Sequence, residues 1–215
     1  TSYGTLRAIQ EEKIPQTYIS DRQLARGELD GHAVIVLPNA QSLPTGAGAH
    51  LRQFVEAGGG LVVLGETSLY DGAGQRRDDF ELSDLLGVHY RGRLANETEL
   101  PTLVGDLRAG VDSPNRTPLK FIKLGEHPLY AGDPVIRAAR SVYAVSAYRR
   151  GMPEDYAFVY PDAVCKVEAD AAAGTEVAAW EETQDPGVRH PFATVRKLGK
   201  GRVVYLAANL GLQYC

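Results

Sequence analysis

The N-terminal third of the sequence alternates between short apolar runs and an amphipathic segment. Ala33 to Leu37 and Leu61 to Leu64 are continuous apolar runs rich in β-branched residues, which is typical of strands covered on both faces. Gly48 to Ala57, between them, has its apolar residues at helical spacing and is followed by Gly58-Gly59-Gly60, which ends the helix. The order of strand, helix and strand predicts a parallel sheet with helices on both sides.

The segment ahead of these strands predicts a helix that no strand precedes. Tyr3 to Lys13 has apolar residues at helical spacing, and Pro15 stops the helix. Gln16 to Ile19 then has the pattern of a short strand. Because a βα unit begins with a strand, we expect a further strand ahead of Thr1 and interpret the chain as a fragment of a larger protein.

The pattern changes to short strands after a polar loop and a short helix that ends at Gly87. The strands predicted there are Leu119 to Leu124, Val142 to Tyr148, Ala157 to Tyr160, Val164 to Glu168 and Glu176 to Trp180. Two more strands flank Gly199-Lys200-Gly201, which is a strong β-hairpin signal. We therefore predict a single α/β domain over residues 1–215, with a parallel α/β half at residues 1–90 and a β-richer half at residues 91–215.

The composition argues against several classes of protein. Of the 215 residues, 44% are hydrophobic and 23% are charged, as in an ordinary soluble globular protein. The net charge of −4 gives no electrostatic reason to bind nucleic acid or an anionic membrane, and no apolar run approaches the roughly 20 residues that span a bilayer. Two cysteines are too few for a disulfide framework. We expect a cytoplasmic protein without a nucleic-acid or membrane partner.

Polar residues follow both predicted parallel strands, at the edge where open α/β sheets form a binding crevice. Asn39 comes after the first strand, and Gly65, Glu66, Thr67 and Ser68 come after the second. These five residues are the candidate binding site, in which Glu66 would act as a general acid or hold a polar group. In the alternative interpretation, Glu66 and Thr67 hydrogen-bond the backbone of the turn and cap the segment that follows.

Catalysis at this turn is not expected. Several enzymes of this architecture keep a nucleophilic cysteine there, and in this sequence Thr67 takes the position. A threonine hydroxyl without a strong base is a poor nucleophile. Hydrolysis of a glycoside needs two carboxyl groups, and the sequence identifies no partner for Glu66. We therefore assign no catalytic residue.

Neither a metal nor a cofactor is expected. The five histidines and two cysteines are scattered without the spacing of metal ligands. Gly46-Ala47-Gly48 precedes a helix but has Leu51 in place of the third glycine of a dinucleotide-binding loop. Arg76 and Arg77 lie beside Asp78-Asp79, either as members of ion pairs in a solvated loop or as contacts with a neighbouring subunit.

Aromatic residues are concentrated in the β-richer half. They are Tyr143, Tyr148, Tyr156, Tyr160, Trp180 and Tyr205. We expect most of them in the core or on a face of the sheet. Tyrosines at strand ends also join contacts between chains, and exposed aromatic faces stack on sugar rings, so both roles stay open.

A family resemblance rests on several short motifs taken in order. They are Asn39, Gly58-Gly59-Gly60, Gly65-Glu66-Thr67-Ser68, the Arg76-Arg77 pair, Asp84-Leu85-Leu86-Gly87-Val88 and Gly199-Lys200-Gly201-Arg202-Val203-Val204-Tyr205. With them the chain resembles the trimerisation domain of β-galactosidases of glycoside hydrolase family 42 and of related glycoside hydrolases. The resemblance implies the class I glutamine-amidotransferase-like fold, a flavodoxin-like three-layer sandwich with a mainly parallel sheet. It also implies a catalytic barrel that lies in a separate domain.

The resemblance implies a non-catalytic role in assembly. We expect an accessory domain of a β-galactosidase-like glycoside hydrolase of carbohydrate metabolism. Its implied partners are copies of itself, as a trimer or another homo-oligomer, and the catalytic barrel. The alternative is a small-molecule or sugar-binding module that uses the crevice, and a degenerate amidotransferase-like enzyme is the third hypothesis.

Overall fold

The computed structural model describes residues 2–93, 120–124, 127–130, 156–159, 164–182 and 188–209. The strands are β1 (Val34–Pro38), β2 (Gly60–Leu64), β3 (Val88–Arg93), β4 (Lys120–Leu124), β5 (Tyr156–Val159), β6 (Cys165–Ala169), β7 (Thr175–Glu182), β8 (Arg189–Leu198) and β9 (Gly201–Leu206). The helices are α1 (Ser2–Glu11), α2 (Asp21–Arg26), α3 (Ala47–Ala57) and α4 (Ser83–Leu86), with a 3₁₀ turn at Pro128–Tyr130. The strand predicted at Val142 to Tyr148 lies outside the described residues.

Seven of these strands form one mixed sheet in the order β1-β2-β9-β8-β7-β4-β5. β1, β2 and β9 run parallel to one another, whereas β8, β7, β4 and β5 are added through antiparallel pairs. β3 and β6 form a separate antiparallel pair. An α/β fold with a parallel N-terminal part and a β-richer continuation is therefore confirmed for the described strands.

Strand β9 joins the two parts of the sheet. It forms the predicted hairpin with β8 and pairs in parallel with β2 on its other side, so that Leu61 lies opposite Val203 and Val63 opposite Tyr205. One face of the sheet is covered here, because Val203 and Tyr205, which point to the same side of β9, are almost fully buried. The backbone N–H of Lys200 in the hairpin turn donates to a carbonyl oxygen at the end of α3, at 3.1 Å. The last described strand of the chain therefore lies inside the sheet and not at its edge.

Two of the predicted helices, α3 and α4, bury their apolar residues in the core. α3 buries Leu51 and Val55 completely, which is the apolar face expected from the sequence. α4 buries Leu85 and Leu86 and ends at Gly87, which has a φ of 66°. α2 begins with a capping box in which Ser20 and Gln23 satisfy each other's backbone N–H groups.

The strand predicted at Gln16 to Ile19 is absent, because this segment pairs with no described strand. Three of its side chains are exposed, and only Ile19 is half-buried and packs against the core. Its alternating pattern fits a strand, but a strand also needs a neighbour to accept its backbone hydrogen bonds. The prediction was wrong for the described chain because pairing is a tertiary property.

An aromatic cluster connects the small sheet to the large one. Phe80 packs edge-on against Tyr90 of β3, with ring centroids 5.6 Å apart, and against Tyr205 of β9 at 5.5 Å. All three residues are buried. The loop that carries Phe80 therefore fixes the position of β3 beside the parallel strands.

None of the helices in the described residues combines the length and the apolar composition that a bilayer-spanning helix requires.

The connection between α4 and β3 leads to a first prediction, the effect of Gly87→Ala. A Cβ at Gly87 would lie 2.0 Å from Thr175 Oγ1, and its φ of 66° is unfavourable for alanine. We expect a loss of about 2 to 4 kcal/mol in the free energy of unfolding. Gly74→Ala is the matched control: Gly74 has a φ of 78° but no atom within 4 Å of its Cβ position, so the backbone cost of about 1 kcal/mol should act alone. Urea denaturation measures both, and equal losses would contradict the steric part of the argument.

Candidate functional site

The turn after β2 is held by contacts from both neighbouring strands. Gly65 has a φ of 60°, and a Cβ there would lie 2.4 Å from Asn39 Oδ1, so only glycine fits this position. The Gly65 N–H donates to the Leu206 carbonyl at 2.8 Å, and the Tyr205 hydroxyl donates to the Gly65 carbonyl at 3.0 Å. Both hydrogen bonds come from β9, which therefore fixes the position of Gly65, the first residue of the turn.

Asn39 anchors the turn from the side of β1. Its φ of 58° is a conformation that asparagine tolerates better than most residues. Its side-chain Oδ1 accepts a hydrogen bond from the Glu66 backbone N–H at 2.8 Å. The two sequence-predicted parts of the crevice, which are 27 residues apart, are therefore in direct contact.

The Glu66 carboxylate is buried and paired with an arginine from the small sheet. Glu66 is 4% exposed. Arg93, the last residue of β3, donates from Nε to Oε1 and from Nη2 to Oε2, the latter at 2.7 Å. Gln41 Nε2 adds a hydrogen bond to Oε2 at 2.8 Å. The hydrogen bonds to Glu66 raise the pKa of the Arg93 guanidinium, so the arginine stays charged throughout the accessible pH range.

Both hydroxyl groups of the turn are buried and engaged with the backbone. Thr67 Oγ1 lies 2.8 Å from the Leu64 carbonyl and 3.2 Å from the Leu37 carbonyl. Ser68 Oγ accepts the Leu82 N–H at 3.2 Å. Neither residue has any exposed surface. The interpretation in which Thr67 hydrogen-bonds the turn backbone describes its observed contacts.

Ser68 has a left-handed backbone conformation and follows Thr67, the residue at the position of the nucleophile in related enzymes. Ser68 has a φ of 64°, whereas Thr67 is not among the described residues with positive φ. The Ser68 N–H donates to Ala40 at 2.9 Å and its carbonyl accepts from Glu81 at 3.0 Å. These bonds hold a conformation that costs about 1 to 2 kcal/mol for a residue with a Cβ. Through these hydrogen bonds Ser68 attaches the following loop to the turn.

A thiol lies near this turn but is not available for chemistry. Cys165, at the start of β6, has no exposed surface. Burial raises the pKa of its thiol to about 12, and a hydrogen bond with Tyr205 offsets the shift only in part. A reactive cysteine needs a lowered pKa and access to solvent, so Cys165 has the properties of a core residue.

Two functional groups of the site, Arg93 and Gln41, were not predicted from the sequence. Arg93 is 27 residues beyond Glu66 and belongs to a different sheet. In the sequence, Arg93 is marked only by its place at the polar end of a short strand pattern, and many exposed strands have such an end. Gln41 lies two residues after Asn39, at the same strand end. Its position could have been included because side chains beyond a strand's carboxyl end face the crevice.

The loop of the candidate interface residues contains a local ion pair, which Arg77 forms with Glu81 and not with the adjacent aspartates. Arg77 pairs with Glu81 at 3.1 Å and Arg76 is exposed. Asp79 does not pair with either arginine in the described contacts. Its carboxylate accepts the Tyr90 N–H at 2.7 Å and lies 2.7 Å from His89 Nδ1. Asp79 therefore fixes β3, while Arg76 and Arg77 stay at the surface.

The remaining histidines and aromatic residues have separate environments. His50 is half-buried and its ring lies beside Gly27. No group of three potential metal ligands occurs among the described residues. Trp180 is half-buried and the Arg189 guanidinium lies 4.1 Å above its ring, while Tyr205 is in the core. The side chains of the other four aromatic residues named from the sequence lie outside the description.

Comparisons of the fold find similar segments in larger enzymes. A β-galactosidase from Rahnella sp. R3 is 16% identical with a TM-score of 0.63, over 98% of this chain and 25% of that chain. Gan42B, a GH42 β-galactosidase from G. stearothermophilus, is 16% identical with a TM-score of 0.60, over 95% of this chain and 22% of that chain. No protein-family model and no curated protein matches the sequence.

The same fold also matches most of a shorter chain. A cytoplasmic protein from Salmonella typhimurium is 13% identical with a TM-score of 0.55, over 96% of this chain and 75% of that chain. The chain spans about a quarter of the length of the β-galactosidases that it matches. The resemblance to GH42 β-galactosidases is confirmed at the level of the fold.

The pairing at the crevice leads to a second prediction, the effect of Arg93→Ala. Removing the guanidinium leaves the buried Glu66 carboxylate with Gln41 as its remaining side-chain partner. A fully buried pair would cost about 3 to 5 kcal/mol to break, and because the Arg93 side chain is 44% exposed we expect about 2 kcal/mol. The free energy of unfolding from urea denaturation measures the loss. Adding Glu66→Gln should recover part of it, since the uncompensated charge disappears.

Arg91→Ala is the control for this prediction. Arg91 lies on the same strand and pairs with Glu168 at 2.9 Å, but both side chains are exposed. We expect a change within about 0.5 kcal/mol. Equal losses for Arg91→Ala and Arg93→Ala would contradict a special role of the buried carboxylate.

The environment of Cys165 leads to a third prediction. In a Cys215→Ser variant, which leaves Cys165 as the single thiol, Ellman's reagent at about pH 8 should not react with the native protein on the timescale of its reaction with free thiols. Urea should release the full reactivity, because unfolding removes the burial that raises the pKa. The absorbance of the released thiolate measures both states, and rapid reaction without urea would show that Cys165 is accessible.

Proposed function

We propose that this chain is a non-catalytic accessory domain of a β-galactosidase-like glycoside hydrolase and that it serves assembly. In this role it binds copies of itself, as a trimer or another closed homo-oligomer, and packs against a catalytic barrel carried by the same polypeptide. The proposal includes a single flavodoxin-like, class I glutamine-amidotransferase-like domain over residues 1–215 and a cytoplasmic location. The reduced, buried Cys165 fits a reducing compartment.

One observation carries the proposal: the polar groups of the crevice are used within the fold. The Glu66 carboxylate binds Arg93 and Gln41, and the hydroxyl groups of Thr67 and Ser68 bind backbone groups. A nucleophile or general acid has to present a free atom to its substrate. At this turn those atoms instead stabilise the connection between β2, β9 and the small sheet.

The same contacts count against the crevice as a ligand site. A sugar or acid that binds Glu66 has to displace Arg93 or Gln41, and it then leaves a buried charge without its partner. Arg76 and Arg77 differ from Glu66, because their guanidinium groups lie at the surface and can bind a partner without leaving a buried charge unpaired. Arginine is enriched among the residues that dominate binding energy at protein interfaces. This difference favours assembly over the alternative of a sugar-binding module.

The assembly role predicts a concentration-dependent oligomer that Arg77→Glu weakens. Light scattering coupled to gel filtration, over about a hundredfold range of concentration, should give a mass above that of the monomer. Arg77→Glu should lower that mass, because it reverses a charge at the proposed interface. Arg52→Glu is the matched control, since Arg52 and Glu56 form an exposed pair with the same spacing as Arg77 and Glu81. A strict monomer at all concentrations would contradict self-association.

A catalytic measurement tests the other part of the proposal. The purified chain should not hydrolyse a nitrophenyl β-galactoside, because its carboxylates and hydroxyl groups at the crevice are engaged. Turnover that disappears in a Thr67→Val or Glu66→Gln variant would contradict the non-catalytic role.

A further inference from the structure

We propose that the groove between the β3–β6 pair and the β7–β8 hairpin binds a small organic acid. The carboxylate of this ligand contacts Arg189, and its apolar or ring-shaped body lies along Trp180. The groove shares no lining residue with the crevice at the ends of β1 and β2, and the inference goes beyond the proposed role in assembly. It rests on the shape of the groove, on the arginine held over the indole ring and on the charges of the lining side chains.

The groove has the size and the wall of a small-molecule site. Its volume is about 480 Å³, within the range of roughly 300 to 1,000 Å³ that is typical of ligand pockets. Val167 of β6 lines it on one side, and Val177, Trp180 and Pro191 of the β7–β8 hairpin line it on the other. These four side chains offer an apolar surface to the body of a ligand.

An irregularity in β7 places Trp180 on the same wall as Val177. Side chains alternate along a regular strand, so that residues 177 and 180 would point to opposite faces. The register between β7 and β8 shifts on both sides of Ala179, and Pro191 lies opposite Trp180. An extra residue in a strand redirects the side chains that follow it. The bulge therefore brings the indole ring into the groove, beside the other apolar residues.

Arg189 is placed to bind an anion. Its guanidinium carbon lies 4.1 Å from the centroid of the Trp180 ring, and the residue is exposed. A guanidinium held over an aromatic ring keeps N–H donors directed away from the ring, and their fork matches the two oxygens of a carboxylate. The contact with the indole also restricts the side chain, which lowers the entropy lost on binding. Among the side chains that the structure describes, Arg189 has no carboxylate partner.

The charges along the groove favour an anion, although the chain as a whole is acidic. Arg91, Lys166 and Arg189 line the groove together with one carboxylate, that of Glu168. Glu168 already pairs with Arg91 at 2.9 Å, so the other two basic groups are not balanced by a described lining residue. The net charge of the chain is −4, which makes this positive charge a local feature. A positive groove raises the local concentration of anionic ligands.

The two kinds of surface together define the class of ligand. A neutral ligand would leave the basic groups without a partner, and an inorganic anion would leave the apolar wall in water. A small organic acid satisfies both, because it carries one anionic group and an apolar body. Glu182 lies opposite Arg189 in the β7–β8 register, and its carboxylate is the group of the chain that would compete with such a ligand.

The test uses Trp180, the single tryptophan of the sequence. Its indole N–H gives one signal in a nitrogen–proton NMR correlation spectrum, and this signal reports on the groove directly. Benzoate carries both the charge and the ring, whereas acetate carries only the charge and benzyl alcohol only the ring. We expect benzoate to shift the indole signal with a dissociation constant at least about tenfold lower than that of either control compound.

Arg189→Gln should weaken benzoate binding by about tenfold or more, because a charge-assisted hydrogen bond is lost. Arg202→Gln is the matched control, since Arg202 is an exposed arginine of β9 that does not line the groove, and it should leave the dissociation constant unchanged. Glu182→Gln should bind benzoate at least as tightly as the native protein. Unchanged signals from the rest of the chain verify that each variant is folded.

Three results would overturn the proposal. The first is the absence of a shift of the indole signal at up to about 10 mM benzoate. The second is an equal dissociation constant for benzoate in the native protein and in Arg189→Gln, or for benzoate and acetate in the native protein. The third is benzoate binding that appears only in Glu182→Gln, which would show that a carboxylate of the chain itself occupies Arg189.

Discussion

The structure depends on the position of β9 between β2 and β8. This strand, from the end of the described chain, pairs in parallel with the N-terminal part of the sheet and in antiparallel orientation with the β-richer part. Each backbone group of a buried strand needs a partner, so β9 can be stable only if both neighbours are present. The two parts predicted from the sequence therefore share one sheet, and neither part alone contains both of the strands that flank β9.

The same strand organises the candidate site. Tyr205 of β9 fixes the Gly65 carbonyl, and Leu206 fixes the Gly65 N–H. The turn then directs Glu66 towards Arg93, so that a charge pair connects the large sheet with the small one. Polar residues at strand ends of α/β proteins often serve substrates. Here the hydrogen bonds of these residues connect parts of the same fold. The proposed role in assembly requires no other function from them.

The two ends of the parallel segment differ in how completely they are covered. β2 lies between two partner strands and beneath α3, whereas β1 has one partner among the described strands and an exposed valine. Burial of apolar surface and pairing of backbone groups both stabilise a strand, and β1 has only part of each.

The sequence by itself determined the elements whose signals are local. The apolar runs of β1 and β2, the amphipathic α3, the stop at Gly87 and the β8–β9 hairpin all follow from residues within a few positions of one another. Their order also predicted that Asn39 and the turn after β2 lie together, because strand ends in a parallel sheet meet at one edge, and the Glu66 N–H donates to Asn39. The tertiary structure decided what depends on distant partners. Glu66 pairs with Arg93 across 27 residues, and the segment from Gln16 to Ile19 forms no strand because it has no partner among the described strands.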